Sequence, residues 1–440
     1  MTEPVGCPHL DALLDLRPEE LADPDLGWAE LRAQGGVVWV ERLDAFVVTD
    51  YDAAEEALTD HERFLSGAGN PRGPVLDRRL TEVRAELAKT SAEFRGLLEQ
   101  MHPDWRRRHV LLAADGDEHT AHRRLVRGMF TARRAELLRP EIRAVAERTA
   151  DSLGVDEPVE LVEAYLNAVP MRVVADQLGI DPEHLDDFRR WATANNSTIG
   201  KNDFPHDLVV EATRSNVLFA EYFRGLMDQR RADPRDDFTT RLVECDPSDG
   251  SFDDEIRLNM MSQLIGAGND TTSKALADAT VRLAGDPAMA DRLRSDPSLV
   301  PAYMEEVVRL LSPTQGLYRT ASRDTELAGV SIPAGSAVLV SYASANRTAS
   351  RFASPDQVVL DREQRNNHLA FSKGKHFCAG ASLARVLMTE ALLVLLERFG
   401  GWTIDEEAGG ARANQSYLLH GLDRLWVRLQ PAHVDAGVTA

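Results

Sequence analysis

The sequence predicts a mainly helical fold with minor sheets near both ends. Three observations lead there. Helical periodicity dominates from about residue 117 to residue 311. Short alternating apolar runs bounded by turn residues flank that block. A further long helical pattern opens just past Cys378.

In chain order, Val37-Val38-Trp39-Val40 and Ala45-Phe46-Val47-Val48-Thr49 read as the arms of a small hairpin. From Arg79 to Met101 the spacing is helical, with Leu80, Val83, Leu87, Phe94, Leu97 and Leu98 at the apolar positions. The run from about Asp253 to Ala284 predicts a helix roughly 48 Å long at 1.5 Å per residue. Strand character returns between Val330 and Val340, with Pro333-Ala334-Gly335 as a turn. A long helix follows Cys378, and Leu425 to Leu429 alternates as a strand. No linker or repeat divides the chain, so residues 1–430 read as one domain and 431–440 as a flexible tail.

Hydrophobic residues make up 43% of the chain, enough for a substantial core. The formal net charge of −21 argues against nucleic acid, whose phosphates demand a basic surface. Three scattered cysteines, Cys7, Cys245 and Cys378, make no disulfide framework and suit a reducing cytoplasm. The first 26 residues carry Glu3, Asp11, Asp15, Glu19 and Glu20 rather than a basic-then-apolar leader. No run of about 18 apolar residues occurs, so a soluble, unanchored protein is expected.

The chemistry concentrates in Phe371-Ser372-Lys373-Gly374-Lys375-His376-Phe377-Cys378-Ala379-Gly380. One cysteine stands in a glycine-flanked loop running into a helix near Ala381. Gly374 and Gly380 lack a Cβ and so allow close approach to something large and flat. A thiol at a helix N-terminus is biased toward thiolate by the partial positive charge there. A single soft thiolate suits a haem iron better than a four-cysteine metal site. A lone cysteine is more often an inert buried residue, but this five-point spacing arises by chance only on the order of 10⁻⁵ times per chain.

The loop resembles the haem-thiolate signature of the cytochromes P450, in particular the soluble bacterial monooxygenases. Ser372 departs from the glycine often found after the phenylalanine. The resemblance implies a large helical domain plus small sheets. Haem b would lie between the long central helix and the Cys loop, with Cys378 as iron ligand and Phe371, His376 and Gly380 touching the cofactor.

Within the long helical run stands Gly266-Ala267-Gly268-Asn269-Asp270-Thr271-Thr272. Glycines in a helix cost about 1 kcal/mol each relative to alanine, a cost that invites an explanation. Without bulk the helix lies flush on a flat face, and a threonine hydroxyl can bond back to the i−4 carbonyl. Asp270 and Thr271 supply an acid and an alcohol, the parts of a proton relay. A glycine-tolerant packing helix is the plain alternative. The segment resembles the family's oxygen-activation motif, which implies haem contacts at Ala267 and Gly268, activated oxygen steadied by Thr271 and protons fed by Asp270.

His119 and Arg123 share a helix face at i, i+4, ordinarily a solvated basic face. Matched to the family, they and Arg319 and His376 bind the haem propionates, which planar guanidinium groups suit. Glu306 and Arg309 match the family's structural pair, with Arg362 as third partner. Arg365 is the alternative, because the Arg362–His368 stretch carries one extra residue.

By family position the substrate pocket draws on Gly67 to Leu111, Asn195 to Phe204, and Gln263 to Ala267, including Gln263 and Gly266. Thr314 to Tyr318 and Tyr417 to His420 complete it, in particular Thr314, Leu317, Tyr318, Leu419 and His420. Arg79 to Met101 is either an enlarged lid or a partner surface. Two locally basic segments, His119–Arg134 and Phe371–Arg385, carry no acid. They would receive an acidic [2Fe–2S] or similar ferredoxin, fed from NAD(P)H by a reductase. The expected reaction uses O₂ to hydroxylate, demethylate or epoxidise a small-to-medium organic substrate. Rival readings are oxidative coupling, peroxide-driven oxidation and a non-catalytic haem sensor.

Overall fold

The computed structural model describes residues 7–67, 73–101, 110–245 and 252–431. Residues 432–440 of the expected tail, and residues 68–72 and 102–109 of the expected pocket stretch, lie outside them, while Pro431, expected in the tail, ends a strand. The described residues are mainly helical with three small sheets.

Its axis is the helix Asp254–Gly285, capped by Asp253, whose carboxylate accepts from Ile256 N–H at 3.0 Å. That cap satisfies one of the N–H groups left open at any helix start. Burial on almost every side explains why the helix has no polar stripe. Leu276, Ala279 and Leu283 pack with Tyr303 and Val307 of Val300–Leu311, and with Leu387 and Leu395 of Ala381–Arg398. Each fully buried large apolar side chain contributes about 1.5–3 kcal/mol.

The expected hairpin forms, with Val37 opposite Val48 and Val40 opposite Ala45. It is the edge of a five-stranded sheet in which Ala45–Val48 runs parallel to Ala337–Ser341, then Gly316–Ala321 and Phe64–Leu65 follow antiparallel. Pro333-Ala334-Gly335 joins two different sheets instead of closing a hairpin. Val330–Ile332 pairs with Thr325–Leu327, while Ala337–Ser341 belongs to the larger sheet. Leu422–Pro431 organises a third sheet with Phe399–Ile404, Ala411–Ala413 and Val159–Glu160. This last strand interrupts the helical block. Two residues are too few to register as periodicity, and their partners Trp426 and Val427 lie far along the chain.

The Arg79–Met101 pattern becomes two helices, Pro74–Thr90 and Ala92–Gln100. Ser91 breaks them and caps the second through Phe94 N–H. Leu80, Leu87, Phe94 and Leu97 are buried, while Leu98 stays exposed. The pair packs across the long helix His206–Ala232, and Glu93 ion-pairs with its Arg214.

Candidate active site

The Cys loop is a short turn, Gly374–His376, leading into the helix Ala381–Arg398. Cys378 N–H donates to the Phe371 carbonyl at 2.8 Å and closes the loop. The two glycines do different work. Gly374 holds φ +69°, and a Cβ there would come within 2.7 Å of the Leu58 carbonyl and 2.9 Å of the His61 ring. It serves packing on the helix Tyr51–Thr59, not approach to a cofactor. Gly380 has nothing within 4 Å of its bare side. That open face is the one a flat group can meet.

The Cys378 side chain is accessible although its sulfur lies deep in the molecule, the combination expected of a residue facing an internal cleft. Burial pushes its thiol up, while the N–H groups of Gly380 and Ala381 and the charges of Arg123 and Arg385 pull it down. Burial wins, so the helix N-terminus alone does not make the thiolate that the sequence reading expected. A bonded metal cation would supply the missing stabilisation.

Beside the loop, His119 and His376 stack with ring centroids 4.1 Å apart. Burial, then nearby arginine charge, lowers His119 to about 4 and His376 to about 2. Arg123 on the helix Gly116–Arg127 is half-buried near Cys378, and Arg319 on the strand Gly316–Ala321 is 3% exposed. Arg319 Nη1 donates to the Tyr318 carbonyl at 2.9 Å, but its Nη2 is buried without a partner. An unpaired buried guanidinium N–H is costly. Four nitrogen-bearing side chains from three elements, one with an orphaned donor, fit the two carboxylates of a haem. The sequence reading missed Asp115, which stands 3.7 Å from His376 Nε2 and accepts from Ser66 N–H at 3.0 Å.

On the central helix Ala267 is exposed between buried Gly266 and half-buried Gly268, and Thr271 follows one turn later on the same face. Thr271 Oγ1 donates to the Ala267 carbonyl at 2.9 Å, the back-bond expected of it. A Cβ on Gly268 would meet Val174 of the helix Ala168–Leu178 at 3.6 Å, an ordinary contact, so its bare side turns toward that helix. Asp270 ion-pairs with Lys274, which lies 3.8 Å from Asp423.

The pocket residues divide. Thr314 and Leu419 form an isolated bridge, and His420 N–H donates to the Pro313 carbonyl at 2.8 Å, bringing these three together. Burial first, then the Lys274 charge, holds His420 down at about 3. Gln263 accepts from Leu112 N–H at 3.2 Å, and the Gly266 carbonyl accepts from Asn196 at 2.9 Å. Leu317 is half-buried on the strand face it shares with Arg319. Tyr318 points the other way, correcting its assignment to the pocket. It is 3% exposed, its hydroxyl meets that of Tyr417 at 3.1 Å, and Gly73 is crowded onto its ring.

Glu306 and Arg309 are wholly buried and bidentate, at 2.9 and 3.0 Å. Arg362, not Arg365, completes the group, donating Nε to Glu306 at 2.9 Å. Arg365 stands exposed in the turn Arg365–Asn367.

The family profile described as Cytochrome P450 matches residues 37–409. Cytochrome P450 107B1 of Saccharopolyspora erythraea is 32% identical over 390 residues, covering 88% of this chain and 90% of the relative. The mycinamicin IV hydroxylase/epoxidase of Micromonospora griseorubida is 33% identical, covering 86% of this chain and 88% of that one. The crystal structure of CYP108D1 from Novosphingobium aromaticivorans superposes with a TM-score of 0.82 at 27% identity, over 97% of this chain and 99% of that one. With its fold, its cysteine loop and these relatives in agreement, the chain belongs to the cytochrome P450 family and is a haem-thiolate monooxygenase.

Proposed function

We propose that residues 1–430 act as one domain that holds haem b through Cys378 and oxygenates a small-to-medium organic substrate by hydroxylation or epoxidation. The observation that carries this reading is the buried, unpaired Arg319 Nη2, grouped with His119, Arg123 and His376 beside a cysteine that faces a cleft. Those four side chains would hold the propionates, and Gly380 and Ala267 would leave room for the ring. Haem bound there supplies O₂ activation, in which one oxygen atom enters the substrate and the other leaves as water with two electrons and two protons.

The chain's part is to deliver those protons and exclude stray water. Asp270 holds a carboxylate at the relay's solvent end and Thr271 an alcohol at its inner end, one residue apart on the helix. Thr314, Leu317, Leu419 and His420 would shape the substrate side, with His420 neutral and able to donate or accept one hydrogen bond. The relative named for mycinamicin IV hydroxylation and epoxidation supports these two outcomes over demethylation.

Electrons would come from an acidic [2Fe–2S] or similar ferredoxin, reduced by an NAD(P)H-dependent reductase. Arg124, Arg127, Arg133 and Lys375 are exposed, as is Phe377, and suit such a partner. Among the described residues no helix is long and apolar enough to cross a membrane. The three free cysteines suit the cytoplasm. A haem sensor would have no use for Asp270 and Thr271, which favours the oxygenase. Cys378→Ser is expected to lose the red-shifted Soret band of the ferrous carbonyl complex; a retained band would refute the ligand assignment. A compound screen for the spin-state shift on binding would identify the substrate.

A further inference from the structure

Glu305 precedes Glu306 but points to another face of the helix Val300–Leu311, where it is 3% exposed. Arg385 of the helix Ala381–Arg398 grips it with Nε at 2.8 Å and Nη2 at 2.6 Å. His368 Nε2 reaches the same carboxylate at 2.9 Å. Because His368 Nδ1 accepts from Ala370 N–H at 3.2 Å, Nε2 carries the hydrogen and donates it. The Arg385 guanidinium carbon in turn lies 4.4 Å from the centroid of Phe371, whose carbonyl receives Cys378 N–H. The His368 ring flanks Phe371 at 5.7 Å.

This assembly does more than tie two helices together. Arg385 stands in the second turn of the helix that opens beyond Cys378, and through Phe371 its charge lies one hydrogen bond from the Cys378 backbone. Arg385 is also partly neutralised by Glu305, so the two residues act on the sulfur with opposite sign. Positive charge near a thiolate-bound iron favours the electron-richer state of the pair.

We propose that Arg385, held by Glu305 and His368 and seated on the Phe371 ring, is a positioning residue that sets the reduction potential of the haem bound at Cys378. The claim rests on Cys378 being the iron ligand. Removing the cation lowers the potential, whereas removing the counter-charge raises it. Arg385→Lys keeps the charge and loses the planar fork and the ring contact, so it shifts the potential less than Arg385→Met does.

The test is potentiometric titration of purified holoprotein for Arg385→Met, Arg385→Lys and Glu305→Gln, with the ferrous carbonyl spectrum recorded for each. A negative shift for Arg385→Met and a positive one for Glu305→Gln, with the red-shifted Soret band kept, is the expected result. Should Arg385→Met not accumulate, Arg385→Gln, which also removes the cation, takes its place. Shifts of the same sign, as loosening alone would give, or no shift in either, would overturn the proposal while leaving the ligand assignment intact. Absence of the red-shifted band in the unaltered protein would overturn the ligand assignment instead, and this proposal with it.

Discussion

Lys274 ion-pairs with Asp270 one turn earlier on the central helix, and its side chain is 5% exposed against 28% for that of the aspartate. The lysine stem is pressed by Gly421, where a Cβ would come within 2.5 Å of it. Its only other carboxylate neighbour among the described ion pairs is Asp423, at 3.8 Å. The pair is therefore asymmetric: the carboxylate can recruit water, and the buried ammonium cannot.

That asymmetry predicts unequal costs. Asp270→Asn strands a buried charge and should destabilise the fold by about 3 kcal/mol. Lys274→Met should cost less, and the double variant should recover much of the Asp270→Asn loss. Denaturant unfolding of the three proteins checks it; equal single-variant costs would refute the account.

Thr271 back-bonds to the Ala267 carbonyl while sharing its cleft-facing side. Thr271→Ala keeps the helix and removes the alcohol. NAD(P)H and oxygen consumption should continue while a larger share of the electrons appears as peroxide. Unchanged coupling of NAD(P)H use to product would count against the relay.

The anchoring group predicts haem retention. Replacing both His119 and Arg123 with alanine, or Arg319 with alanine, removes partners for carboxylates that carry charge-assisted bonds of about 1.5–3 kcal/mol each. Haem transfer to an apo-globin acceptor should quicken at least tenfold for either variant. Identical transfer rates would contradict the assignment.

Ser372 holds φ +59° with its hydroxyl buried and unpaired. A left-handed backbone costs a residue with a Cβ about 1–2 kcal/mol, partly offset by glycine's extra freedom when unfolded. Ser372→Gly should thus raise stability by about 0.5–1 kcal/mol, read as a higher Tm. A lower Tm would show that the hydroxyl matters in a way this geometry does not explain.

Acid should unfold the protein partly through Glu305. Burial pushes its carboxyl up, but the bonds from Arg385 and His368 outweigh burial and hold it at about 2. A carboxylate lowered on folding contributes stability above its ordinary value, lost as pH falls toward the folded one. The loss here runs from about 4.5 to about 2 and amounts to a few kcal/mol. Glu305→Gln should flatten that part of the stability curve, and an unaltered slope would exclude the mechanism.

Local patterns made the helical block, the central helix and the hairpin legible, because periodicity and turn chemistry act within a few residues. Contacts between distant segments were not legible. Nothing near Arg362 or Arg365 says which of them reaches Glu306; the buried carboxylate's geometry decides for Arg362. Tyr318 and Leu317 are neighbours, yet pleating sends one to Tyr417 and the other to the face of Arg319. Lys274 was available to inspection at i+4 from Asp270, whereas Asp423 was not.

The sequence by itself determined the helical character, the cysteine loop and the acid–alcohol pair, since each is written in residue type and short spacing. Only the tertiary structure decided which glycine faces open space, which arginine is left with an unmet N–H, and that burial overrides the helix end at Cys378. The physical reason is desolvation. Its cost depends on everything packed around a group, and no local stretch of chain carries that information.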